Sequence, residues 1–166
     1  MHILRHKKSF IYIGISISIS ILAFVLYYTI INSNETKDPK DFAMEVFEIY
    51  VENLQKVVNV VEQDADVQKT KNKIVAIKDD SIKVLVKLGK SFQEFTLEEK
   101  KLAKSLTFIA IQESHNHNIW SQYMRTFAKY PELNVELSDF NTIARYAFYD
   151  LLKQQSPKEA ERLGIK

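Results

Sequence analysis

One stretch gathers residue types able to do chemistry: Glu113-Ser114-His115-Asn116-His117-Asn118. Glu113 and His117 are four apart, so on a helix they share a face, as a carboxylate and an imidazole on one metal ion often do. His115 lies two residues from His117 and points elsewhere on a continuous helix. The two imidazoles can act together only if the helix breaks, and Ser, His and Asn are indifferent enough helix formers to allow a break before Ile119. A metal here needs one or two further ligands. Glu45, Glu48, Asp139 and Asp150 are available, but no spacing selects them. The Glu-x-x-His pattern of carboxylate-bridged bundles is absent, because the residue three after Glu113 is Asn116. The reading that asks least is structural: Glu113 and Asn116 occupy core-facing positions and form a hydrogen-bonded layer that fixes helix register. A metal site on Glu113 and His117 is the alternative.

Other chemistries find no support. Ser114 stands beside His115, but neighbouring side chains on a helix diverge, and no glycine-rich elbow is present. There is no phosphate-binding glycine loop, no HExxH and no dinucleotide fingerprint. With no cysteine in the sequence, disulfides, thiolate metal sites and a cysteine nucleophile are excluded. No catalytic residue or cofactor is therefore assigned, and the expectation is a non-enzymatic protein. Tyr146 and Tyr149 fall off the apolar stripe of their segment and are the candidates for a protein interface, where exposed aromatics often anchor a partner.

Four amphipathic segments must position these residues. Asp38-Pro39 opens the first, with a capping acid and a first-turn proline. Ala43, Phe47, Tyr50, Leu54, Val57 and Val61 then recur at helical spacing. Asp64 or Asp66 caps the second, whose stripe is Ile74, Ile77, Ser81, Val84 and Leu88, with Gly89 a possible end. Lys69, Lys71, Lys73, Lys78, Asp79 and Asp80 form its solvated face. Thr96-Leu97-Glu98-Glu99 is a capping box. It opens the third, with Leu102, Leu106, Ile109, Glu113, Asn116, Trp120, Tyr123, Phe127 and Tyr130 in unbroken register until Pro131. Ser138 or Asp139 caps the fourth, which carries Phe140, Ile143, Ala144, Ala147, Phe148, Leu151 and Leu152. Ser156-Pro157 starts a short last helix that ends at Gly164. Only three glycines and three prolines occur, which argues for long helices over a many-stranded fold.

Ahead of these segments, Phe10 to Ile31 holds 22 residues without a charge. As a helix it reaches about 33 Å, enough for a hydrocarbon core of about 30 Å. It is too long for a signal-peptide core and has no small-residue cleavage pattern at its exit. A lone strand in lipid would leave its backbone unpaired, so an uncleaved membrane helix is expected. Arg5, Lys7 and Lys8 precede it, and positive flanks stay in the cytoplasm. Ser16, Ser20 and Ala23 line one face, where small residues let two such helices approach, a possible route to a homo-oligomer. Without the three N-terminal cations the chain holds 20 basic and 21 acidic residues, so no basic footprint for nucleic acid remains.

The expected class is all-α: an N-terminal transmembrane helix followed by an antiparallel bundle of four main helices and a short C-terminal one. Residues 1–9 form a cytoplasmic N-terminus, 10–31 the anchor, 32–38 a tether and 39–166 an extracytoplasmic domain at the cell membrane. The expected function is an interaction or scaffold module docking on other envelope proteins. A metal- or small-ligand-binding bundle is the alternative.

Overall fold

The computed structural model describes residues 38–165. The anchor, its basic flank and the Ser16/Ser20/Ala23 face lie outside the described residues. Among the described residues all regular structure is helical, and no helix is long and apolar enough to cross a membrane.

Helix α1, Pro39–Gln63, starts as its sequence demands: the Asp38 carboxylate accepts the Lys40 N–H at 3.0 Å, and Pro39 fills the first turn. Phe42, Ala43, Val46, Tyr50, Leu54, Val57 and Val61 are buried, whereas Phe47 of the expected stripe is half-buried and Met44 is exposed. Helix α2, Val67–Gln93, is capped by Asp66, which accepts the Lys69 N–H at 2.7 Å. It buries Ile74, Ser81, Ile82, Leu85, Leu88 and Phe92, whereas Val84 of the expected stripe is exposed. Where α1 and α2 meet, the Ser81 hydroxyl lies 2.6 Å from the Ile77 carbonyl and 2.7 Å from Asn53 Oδ1, with Asn53 itself buried.

Gly89 does not end α2. A Cβ there would come within 2.3 Å of Tyr149 Cε1. The residue is a glycine because the Tyr149 ring lies against its backbone, and the Tyr149 hydroxyl donates to the Val86 carbonyl at 2.5 Å. The expected solvated face of α2 is also partly engaged. Lys71 pairs with Glu136 at 2.6 Å and Lys78 with Asp139 at 2.7 Å, tying α2 to the C-terminal segment.

The expected third helix is two helices. α3 spans Leu97–Ser114 and α4 spans Asn118–Lys129, with a tight turn at 115–117. The capping box at Thr96 forms, its hydroxyl accepting the Glu99 N–H and the Glu99 carboxylate accepting the Thr96 N–H. α1 packs against α2, α3 and α4.

Ahead of the expected fourth helix, a 3-10 turn, Pro131–Leu133, leads into the short α5, Asn134–Ser138. The expected fourth helix itself divides, and its first part is a 3-10 segment, Asp139–Ala147. This segment has nine residues, long for a 3-10 helix. Its three-residue repeat places Phe140, Ile143 and Tyr146 on one buried side, facing α2. α6, Tyr149–Gln155, and α7, Pro157–Arg162, close the chain, and Gly164 takes the left-handed conformation with φ 69°. Phe42, Phe92, Phe95 and Phe148 form one aromatic cluster, with ring centroids 5.1–5.9 Å apart where they meet.

Candidate functional site

The α3–α4 turn forms because three successive backbone amides, of His115, Asn116 and His117, donate to carbonyls only three residues back, at 2.9–3.2 Å. His117 is extended, at φ −93° and ψ 156°, and begins α4. Glu113, Asn116 and His117 are all exposed here. The expected buried polar layer of Glu113 and Asn116 is therefore corrected. The α3 part of the stripe that carried them faces outward, while Tyr123 further along it is buried, and among the described residues a buried polar pair forms instead between Asn53 and Ser81, where α1 meets α2. Ser114 is buried and spends its hydroxyl on the Ile111 carbonyl at 2.6 Å, so it is no nucleophile. His115 stacks on Trp120, with ring centroids 3.9 Å apart. Glu113 and His117 gain no third ligand: among the described residues no group of three His, Asp or Glu is placed to hold a metal.

Tyr146 and Tyr149 differ in exposure, the first buried and the second half-buried. Tyr146 is buried and its hydroxyl lies 3.3 Å from Glu159 Oε1, while Tyr149 is committed to Gly89 and Val86. Burial holds both phenols above the ordinary tyrosine value.

The outward face is instead on α3. This helix carries two stripes, one position apart. Ala103, Thr107 and Ser114 are small and buried, with Ile111 beside them. Leu102 and Ile109 are large and 43% and 49% exposed, Leu106 between them is half-buried, and Leu97 and Phe108 are also exposed. Thr107 tolerates burial because its hydroxyl donates to the Ala103 carbonyl at 2.9 Å. Small side chains on the inner side let a helix backbone come close to its neighbour, and that choice turns the large residues outward. Charges border the stripe: Lys101 pairs with Glu98 at 2.8 Å, and Lys104 pairs with Asp150. Sequence reasoning missed this face because it followed the large residues. The signal was present in Ala103, Thr107, Ala110 and Ser114, which repeat at the same 4-3-4 spacing.

Comparison of the chain with protein-family models, with curated proteins and with solved structures finds no match in any of the three.

Proposed function

We propose that this chain is a membrane-anchored, non-enzymatic docking module. Residues 10–31 hold it as a single helix with a cytoplasmic N-terminus, and 39–166 form an antiparallel helical bundle on the outer face. Ser16, Ser20 and Ala23 offer a contact between anchors of two copies. The partner is an amphipathic helix of another envelope protein, laid along the outer stripe of α3. One observation carries this reading: Leu102, Leu106 and Ile109 present an apolar row at helical spacing on a face that the fold leaves uncovered.

The test places a photo-crosslinking residue at Leu102 or Ile109 in the full chain, in its own membrane, with Lys83 of α2 as a control position. A discrete adduct with one protein from 102 and 109 but not from 83, lost when the other stripe residue becomes Asp, is expected. Absence of an adduct, or the same adduct from 83, overturns the reading. Protease added outside spheroplasts should remove residues 32–166, and full protection overturns the orientation.

A further inference from the structure

The start of α1, the end of α2 and the start of α3 share one end of the bundle. The Phe42 ring, in the first turn of α1, lies 5.2 Å from Phe92 and 5.7 Å from Phe95. The charges of Asp38 and Glu99, at the starts of α1 and α3, act on each other. The α2–α3 turn, residues 94–96, forms the tip of this end, and the Lys100 ammonium closes it by donating to the Gln93 carbonyl at 2.8 Å. Directly after the turn, Leu97 opens α3 and is 68% exposed. At the opposite end, Tyr130 reaches the Asp64 carbonyl beyond α1, and α5 is tied to the start of α2 by Glu136 and Lys71. Val135 of α5 is 72% exposed there. Between the two ends α1 runs for 25 residues, about 37 Å.

Two apolar side chains of nearly equal exposure thus stand at opposite ends, and chain length tells them apart. Seven peptide steps lead from Ile31 to Asp38, a reach of at most about 25 Å. With residues 10–31 in the bilayer, the start of α1 stays within that reach, and the α2–α3 tip goes with it. Lys90, Lys100 and Lys101 flank the tip, and so do Glu94, Glu98 and Glu99. Glu98 pairs with Lys101, and Glu99 closes the helix cap. The tip is therefore an apolar residue among balanced charges, which suits a zwitterionic headgroup layer. Lysine stems can lie along apolar surface there while their ammoniums reach phosphate.

We infer that the α2–α3 tip rests on the bilayer that holds the anchor, with Leu97 entering the boundary between headgroups and acyl chains. The inference rests on the membrane anchor proposed above, but not on a helix docked along α3. One leucine makes a weak contact, and tethering offsets the weakness by keeping the bilayer at high effective concentration. Because the tip carries balanced charges, anionic lipid is not needed.

The test uses the full chain in phosphatidylcholine vesicles. The sequence has no cysteine, so one introduced at Glu94 or at Val135 takes a nitrobenzoxadiazole label at a single place, with Leu97 intact. The quencher is phosphatidylcholine carrying a nitroxide on the upper acyl chain. Quenching at 94 should exceed that at 135 about threefold, as contact at the acyl boundary requires. Leu97→Asp should lower it to the level of 135, and Leu97→Met should preserve it. An aspartate in the first turn of α3 suits the helix dipole, so the loss reports contact and not unfolding. Flotation with the vesicles is measured alongside. A chain that does not float overturns the anchor and this inference with it. A chain that floats but is quenched alike at 94 and 135, or indifferently to Leu97→Asp, overturns this inference alone. A label at 94 hidden from iodide yet untouched by the lipid quencher gives the tip to a second copy of the chain, and overturns it too.

Discussion

α1 and α3 lie against each other and solve burial in opposite ways. α1 turns its large residues inward, and Phe42, Val46, Tyr50, Leu54 and Val57 are all essentially inaccessible. α3 turns its small ones inward, with Ala103 and Thr107 at 0% exposure, and leaves Leu102 and Ile109 in solvent. An apolar stripe at helical spacing therefore says that a helix has two faces, but not which face the core takes. Volume decides: beside a helix already carrying large side chains, close packing leaves room for alanine and threonine.

The largest effect should come from breaking the α1 side. Leu54→Ala should cost about 2–5 kcal/mol in denaturant unfolding of the full chain, through lost burial and the cavity left behind. Leu102→Ala on α3 should cost less than about 0.5 kcal/mol. Equal losses at the two positions would end the comparison.

Next comes the converse change. Ala103→Leu inserts volume into the packed α1 side of α3 and should cost about 1–3 kcal/mol. Ile109→Lys should leave the unfolding midpoint nearly unchanged while removing the adduct formed from 102. A tolerated Ala103→Leu would mean that α3 can rotate about its own axis.

A smaller contrast separates two buried phenols. Tyr123 of α4 donates to the Leu137 carbonyl, whereas the Tyr50 hydroxyl of α1 is buried without a partner and burial pushes its pKa up to about 12. Tyr123→Phe should cost about 1 kcal/mol, and Tyr50→Phe should be neutral or stabilising. A larger loss at Tyr50 than at Tyr123 in thermal melts would show that a bond to the Tyr50 hydroxyl exists in solution.

The smallest effect is electrostatic and belongs to the end of α1. The ammonium of Lys73, 2.7 Å from the carboxylate, and a second ion pair with Lys69 hold the Asp64 carboxyl below its ordinary value of 3.8. A depressed carboxylate stabilises the fold above its unfolded pKa, and that stabilisation is lost as pH falls through the lowered folded value. Asp64→Asn should thus melt slightly below wild type at neutral pH, with the gap closing as pH falls below about 3.8. A gap that stays constant with pH would assign the loss to packing.

Much of the fold was legible in the sequence for local reasons. Asp38-Pro39, Asp66 and the Thr96/Glu99 box mark helix starts because their side chains satisfy end amides within three residues. The stripe of α1 was legible because Tyr50, Leu54, Val57 and Val61, at helical spacing, are buried, with Phe47 half-buried on the same face. Elsewhere the deciding contacts are distant. Gly89 left the end of α2 open, between a stop there and a continuation in register through Phe92 and Phe95, because nothing near it in sequence reveals Tyr149. Tyr146 fell off a stripe drawn at 3.6 residues per turn, but at three per turn it aligns with Phe140 and Ile143 and is buried. Glu113 looked core-facing only because the outer stripe of α3 was taken for the inner one.

The clasp between the ends of α4 and α1 bears on the order in which the chain folds. Lys129 donates to the Val61 and Glu62 carbonyls, and the Tyr130 hydroxyl donates to the Asp64 carbonyl at 2.7 Å. These bonds satisfy the carbonyls that a helix leaves open at its C-terminus, but the residues they join are 66–68 apart in sequence. The entropy of closing so long a loop must be met before any of them rewards the chain. The last turn of α1 is therefore expected to gain its full protection only when α4 docks. Its amides should exchange with solvent ahead of those around Leu54, at a rate set by the undocking of α4.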